Sequence, residues 1–194
     1  MTRYHHGDLR AAILAAARQR LESETGGELS LRALAQAVGV SPNAPYRHFA
    51  TKEDLLGALA AQGFDELTAG FAPYGAADGA ERMEGCLDAY LQFARSNPGL
   101  YRLMFGRRLD LLANQTELGQ HAQACFTALM GAVARLLDRS MDDARVRESA
   151  AIVWSLSHGA AMLDIDKAAS FLAEAERPSA PRLAKVIMAG LVAL

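Results

Sequence analysis

The chain has 194 residues, 51% of them hydrophobic, and a formal charge of −2. That suits one or two small domains with a substantial core and excludes a polycation that would hold nucleic acid by charge alone. Two cysteines, Cys86 and Cys125, point to free thiols in a reducing compartment rather than a disulfide framework, and no apolar run approaches a membrane span.

Residues 1–7, MTRYHHG, read as an arm. Its Arg3, His5 and His6 either reach phosphate or the minor groove, or stay solvated at a frayed terminus. No basic-then-apolar leader is found, so the expected compartment is the cytoplasm. A first helix is predicted from Asp8 to Glu24, with Leu9, Ile13, Ala16, Ala17 and Leu21 as its apolar stripe and Gly26-Gly27 as its stop.

Ser30 to Leu56, SLRALAQAVGVSPNAPYRHFATKEDLL, organises the rest. Ser30 is an N-cap, and Leu31, Leu34, Ala35 and Val38 recur at helical spacing behind it. Gly39 stands where a chain turns left-handed cheaply. Ser41 caps again, Pro42 fits a first helical position, and a second helix is predicted from Pro42 to Phe49. Thr51 caps a third, with Asp54 in the capping-box position. Helix, glycine turn, helix is the helix-turn-helix signature, whose second helix lies in the DNA major groove. Asn43, Ala44 and Arg47 are placed on its outer face, where asparagine suits adenine, arginine suits guanine and a methyl suits thymine. Tyr46, His48 and Lys52 offer donors to phosphate, and Ser30 and Ser41, at helix starts, complete the candidate DNA contacts.

These residues resemble the TetR family of transcriptional regulators. The resemblance is carried by Leu31-Arg32-Ala33-Leu34-Ala35, Val38-Gly39-Val40-Ser41 and Tyr46-Arg47-His48-Phe49, then Lys52-Glu53 and Leu55. It implies an all-α protein: a three-helix DNA-binding head, here residues 1–52, on a helical ligand-binding and dimerising body, here 53–194. One departure is Pro45, which stands where a large branched aliphatic is common. It removes an amide and crowds the Ser41 carbonyl, so the start of the recognition helix is expected to be distorted.

A helix from Lys52 to about Phe71 follows, with Leu55, Leu59, Gly63 and Leu67 as a seam and Leu56 and Phe64 flanking it. Pro73 to Gly79 forms a loop. Asp78 caps a helix to about Ser96, whose inward set is Met83, Cys86, Leu87, Tyr90, Leu91 and Ala94. Asn97-Pro98-Gly99 stops it before a short helix, Leu100 to Phe105. Gly106-Arg107-Arg108 is a basic turn, and residues 109–115 carry no clear pattern. From Thr116 to Arg139 the period is helical again, with Phe126, Leu129, Met130, Val133, Leu136 and Leu137 inside. His121 and Cys125 share a face at ligand spacing, but two ligands do not make a metal site and packing is the expectation.

Asp142 or Asp143 opens a helix to about Asp164. Its Trp154 and His158 lie one turn apart, and this WxxxHG pattern resembles the body of one TetR subgroup. The resemblance places such residues beside an effector cavity. An apolar pocket is expected from Tyr101, Met104, Phe105, Phe126, Met130, Trp154 and His158, each of which is also an ordinary core residue. Residues 166–176 read as a short helix or irregular link. The last helix, Arg182 to Leu194, is too apolar to be left uncovered. Its Val186, Ile187, Gly190, Leu191 and Leu194, with the small stripe Ala150, Val153, Ser157 and Ala160, are the expected two-fold dimer interface.

The expected function is therefore a homodimeric regulator, a repressor, that binds a pseudo-palindromic operator in double-stranded DNA and is released by an unidentified small-molecule effector. The alternative is a helical protein that binds DNA without sequence preference or effector. The mild charge of residues 1–60, seven Lys/Arg against six Asp/Glu, argues against it. No glycine-rich phosphate loop, nucleophile elbow, HExxH or CxxC occurs, so neither an enzyme nor a cofactor is expected.

Overall fold

The computed structural model describes residues 9–23, 29–106, 116–168 and 170–193. Among them are eight α-helices and no strand: α1 (Leu9–Glu22), α2 (Leu31–Ala37), α3 (Lys52–Gly70), α4 (Gly79–Ser96), α5 (Pro98–Phe105), α6 (Thr116–Leu137), α7 (Ala144–Ile165) and α8 (Ala180–Ala193). Short 3-10 turns cover Ala44–Arg47, Ala72–Tyr74 and Glu174–Glu176. The predicted arm at residues 1–7, the Gly26-Gly27 stop, Arg107, Arg108, residues 109–115 and Leu194 lie outside the described residues. No described helix is long and apolar enough to cross a membrane.

The chain divides into two compact units, Met1–Gly63 with Gly99–Gly119, and Phe64–Pro98 with Gln120–Leu194. The cut between these units falls within α3, and α5 groups with the N-terminal helices.

In the first unit, Ile13, Leu14 and Ala17 of α1 meet the buried Leu31, Leu34 and Ala35 of α2 in one core. Two contacts draw α5 into it. The Glu22 carboxylate, at the end of α1, accepts the amides of Gly99 (2.8 Å) and Leu100 (2.9 Å), which open α5 without an intrahelical partner. At Gly99 the α1 backbone passes so close that an added Cβ would lie 2.2 Å from the Leu21 carbonyl oxygen, so only glycine fits. The predicted seam of α3 is buried, and Met104 of α5 lies against Gly63.

In the second unit, Asp78 caps α4 by accepting the Glu81 amide (2.9 Å), and the inward set read from the sequence is buried in full. α4 packs against α7 and α8. The stripe of α7 that faces inward is Val146, Ser149, Ala150, Val153, Ser157, Ala160 and Ala161. Small side chains let helices approach closely, and Ser157 hides its hydroxyl by donating to the Val153 carbonyl (2.7 Å).

Candidate nucleic-acid interface

The turn of the helix-turn-helix is built from local chemistry. The Ser30 hydroxyl accepts the Ala33 amide (3.2 Å), which fixes the start of α2. Its own proton stays available to a second acceptor. Gly39 has φ +74°, the left-handed conformation its place after α2 called for. On the far side, Thr51 and Asp54 form a reciprocal box: the Thr51 amide donates to the Asp54 carboxylate (2.9 Å) and the Asp54 amide to the Thr51 hydroxyl (3.1 Å).

Between these fixed points the structure departs from the predicted Pro42–Phe49 helix. The segment is a 3-10 turn, Ala44–Arg47, with Pro42 and Asn43 in the turn before it. The cause is Pro45. It has no amide hydrogen to donate to Ser41, so the Ser41 carbonyl takes the Ala44 amide instead (3.0 Å), a tighter closure. The amides of His48 and Phe49 then share the Pro45 carbonyl (2.9 and 3.0 Å). Pro45 is buried, so its ring packs into the core while the segment goes without one helical hydrogen bond.

The candidate DNA contacts fall on the outside of this segment. Ser41, Asn43, Tyr46, Arg47 and His48 are exposed, and Ser30, Ala44 and Lys52 are half-buried. At three residues per turn, Ala44 and Arg47 sit one above the other. Tyr46 is 46% exposed, too much for a packing role within its own unit. Phe49 points inward, 2% exposed, and carries the Arg10 guanidinium over its ring at 5.5 Å. No periodicity or spacing marks that pair, since the two residues belong to different helical segments. Arg32, exposed in the first turn of α2, is a further cation on the same motif.

The predicted pocket residues fall in both units. In the first, Tyr101 and Met104 are fully buried, and Tyr101 packs on Phe105 with ring centroids 4.8 Å apart. In the second, Met130 is buried, while Phe126 and Trp154 meet edge to face at 6.0 Å with Trp154 41% exposed. His158, one turn from Trp154, is half-buried, and burial pushes its pKa below the usual 6.5. His121 pairs through Nδ1 with the Asp65 carboxylate. Cys125 is buried, its thiol pushed up to about 11 by burial. Among the described residues no group of three or more His, Cys, Asp or Glu is placed to hold a metal ion.

The predicted dimer residues also separate. Ala150, Val153, Ser157 and Ala160 face the interior of the chain, as do Ile187 and Leu191. Only Val186 and Gly190 of the described set are exposed. Besides Trp154, α7 leaves outside a stripe beside the buried one: Ile152, Leu156, Gly159 and Leu163, with the three large side chains 39%, 43% and 46% exposed.

Residues 13–59 match the family of bacterial regulatory proteins, tetR family, and residues 83–188 match the tetracyclin repressor-like C-terminal domain. A stretch of 114 residues is 36% identical to the nucleoid occlusion factor SlmA of Marinomonas sp. (strain MWYL1), covering 57% of this chain and 55% of that protein. The chain therefore spans about half the length of this curated relative. A solved protein of unknown function from Rhodococcus sp. RHA1 matches with a TM-score of 0.75 at 28% identity, over 100% of this chain and 96% of that one. The TetR-family regulator PfmR of Thermus thermophilus shares the fold with a TM-score of 0.64 at 20% identity, over 93% and 97% of the two chains.

Proposed function

Because this chain belongs to the TetR family of DNA-binding transcriptional regulators, we propose that it acts as a homodimer, represses from a pseudo-palindromic operator, and is released by a small-molecule effector. The observation that carries the operator reading is the exposed run Asn43, Tyr46, Arg47 and His48, held between the Gly39 turn and the Thr51–Asp54 box. Arg47 takes the role of base reader, bidentate to guanine. Tyr46, His48 and Lys52 position the head on phosphate.

Dimerisation runs through the uncovered stripe of α7, Ile152, Leu156, Gly159 and Leu163, with Val186 and Gly190 of α8. Water-facing apolar side chains at helical spacing gain free energy by being covered, and among the described residues neither glycine has a neighbour within 4 Å of an added Cβ. A two-fold axis then presents two heads to two half-sites. The effector is assigned to the helical body, where Trp154, Phe126 and His158 offer an aromatic surface with one polar handle. Release follows if the effector binds the non-DNA form more tightly, which shifts the population away from the operator.

The test is selection of bound fragments from a random DNA pool at physiological salt. Recovery of a two-fold sequence supports the reading. Recovery of no preferred sequence, with steep salt dependence, favours the non-specific alternative.

A further inference from the structure

At the start of α4 and the end of α6, within the second unit, lies a cleft of about 570 Å³. Three arginines line it: Arg82, Arg135 and Arg139. Its other walls include Gly131, Ala134 and Met141, which are small or flexible and apolar. None of the residues assigned above to the effector contributes to it.

Two of these three charges, on Arg82 and Arg135, have no carboxylate partner among the described residues. Arg82 and Arg135 both donate to one neutral acceptor, the Gly75 carbonyl, and Arg82 also reaches the Tyr74 carbonyl (3.2 Å). The Nε of Arg82 is buried and has no hydrogen-bond partner among the described residues. That Nε is shut off from solvent, so it is not among the donors Arg82 offers to the cleft. Arg139 is bound to Asp143 (2.7 Å), and Asp138, the one acid in the described wall, is held at φ 51° just past the end of α6. Ser140, also in the wall, contributes a hydroxyl whose oxygen accepts the Asp142 amide (3.3 Å), leaving its proton to donate.

We propose that this cleft is a binding site for a small organic anion, with a carboxylate or phosphate monoester head on Arg82 and Arg135 and an apolar part over Gly131, Ala134 and Met141. Planar guanidinium forks match the oxygens of both head groups, and the charge-assisted bonds they form are the strong ones. The volume is that of a small-molecule site, several times what one inorganic ion needs. The site does not depend on the operator reading, since it is separate from the helix-turn-helix in sequence and in its lining residues.

Phenyl phosphate and benzoate are the probes, each titrated into the full-length protein by calorimetry at matched ionic strength with sodium chloride as the blank. Binding of either supports the site, and which one binds tells phosphate from carboxylate. Arg135→Gln, at an exposed position, should weaken the bound probe by about tenfold or more, the equivalent of one charge-assisted hydrogen bond. Arg82→Gln should do the same, provided its circular dichroism shows the helices intact; Arg135→Gln decides the matter if they are not. Absence of heat from both probes overturns the proposal. So does binding that is unchanged in Arg135→Gln.

Discussion

Glu22 joins two parts of the first unit that are far apart in sequence, and its removal has a calculable cost. One carboxylate accepts two amides, of Gly99 and Leu100, at 2.8 and 2.9 Å. It therefore works as an N-cap supplied from another helix, with its negative charge at the positive end of α5. Hydrogen bonds to charged groups contribute about 1.5–3 kcal/mol each when partly buried, and they do not add fully when they share one acceptor group. Leu100 is fully buried, so its freed amide is poorly reached by water, whereas Gly99 is half-buried and is reached more easily. Glu22→Ala should then cost about 2–3 kcal/mol, with the Leu100 amide carrying the larger share.

For a chain of this size that loss lowers Tm by roughly 4–12 °C. Glu22→Gln keeps one good acceptor and loses the charge, so it should fall between the two, near about 1 kcal/mol. Urea unfolding followed by circular dichroism gives the free energies, and an unchanged m-value shows that the folded state is the same. A loss below about 0.5 kcal/mol for Glu22→Ala, within the range of ordinary surface substitutions, refutes the assignment of Glu22 as the cap of α5.

Arg47→Ala should weaken specific DNA binding by about 1–3 kcal/mol and relax preference at one base position; competition binding with single-base operator variants checks this, and an unchanged preference removes Arg47 from base reading. Leu156→Asp should give a folded monomer by analytical ultracentrifugation. Leu191→Asp, at 3% exposure, should unfold the chain instead, and a dimer that survives Leu156→Asp puts the interface elsewhere. His158 gives a pH dependence. Its folded pKa lies below the unfolded 6.5 because of burial. Below 6.5 the unfolded chain takes a proton that the folded chain refuses, so stability is complete above that pH and is lost as pH falls through it. His158→Asn should reduce the difference in unfolding free energy between about pH 7.5 and pH 5.5, and an identical difference in both proteins would clear His158 of the effect.

Which features could be read from the residues follows from the distance over which each is determined. The caps at Ser30, Thr51 with Asp54, and Asp78 are three-residue chemistry, and all appear as read. The Gly39 turn and the inward face of α4 are equally local or periodic. The orientation of α7 was not readable in this way. Both of its stripes are apolar, and a period of 3.6 names the stripes without naming their partners. The small one packs inside the chain because it lets α7 lie close to its neighbours, and the large one is left outside. Contacts such as Glu22 with Gly99, 77 residues apart, or Asp65 with His121, 56 apart, involve residues that look like surface charge in a linear reading.

Pro45 shows how a local rule can be broken without loss of the motif. A proline inside a helix costs about 3 kcal/mol or more, through a missing donor and a clash one turn back. Here the helix is not attempted. The chain closes a 3-10 turn on Ser41, the proline ring goes into the core, and the next two amides converge on its carbonyl. What fixes Tyr46 and Arg47 in space is then not a run of helical hydrogen bonds but the two ends of the segment. Gly39 sets one end and the Thr51–Asp54 box the other, while buried Pro45 and Phe49 hold the middle down. A turn with three residues per repeat advances about 2.0 Å per residue instead of 1.5 Å. The side chains at 44 and 47 are therefore about 6 Å apart along the axis and stacked on one side, whereas an α-helix would bring them to about 4.5 Å and fan them apart. The reach of this segment along a groove is set by that longer, narrower row.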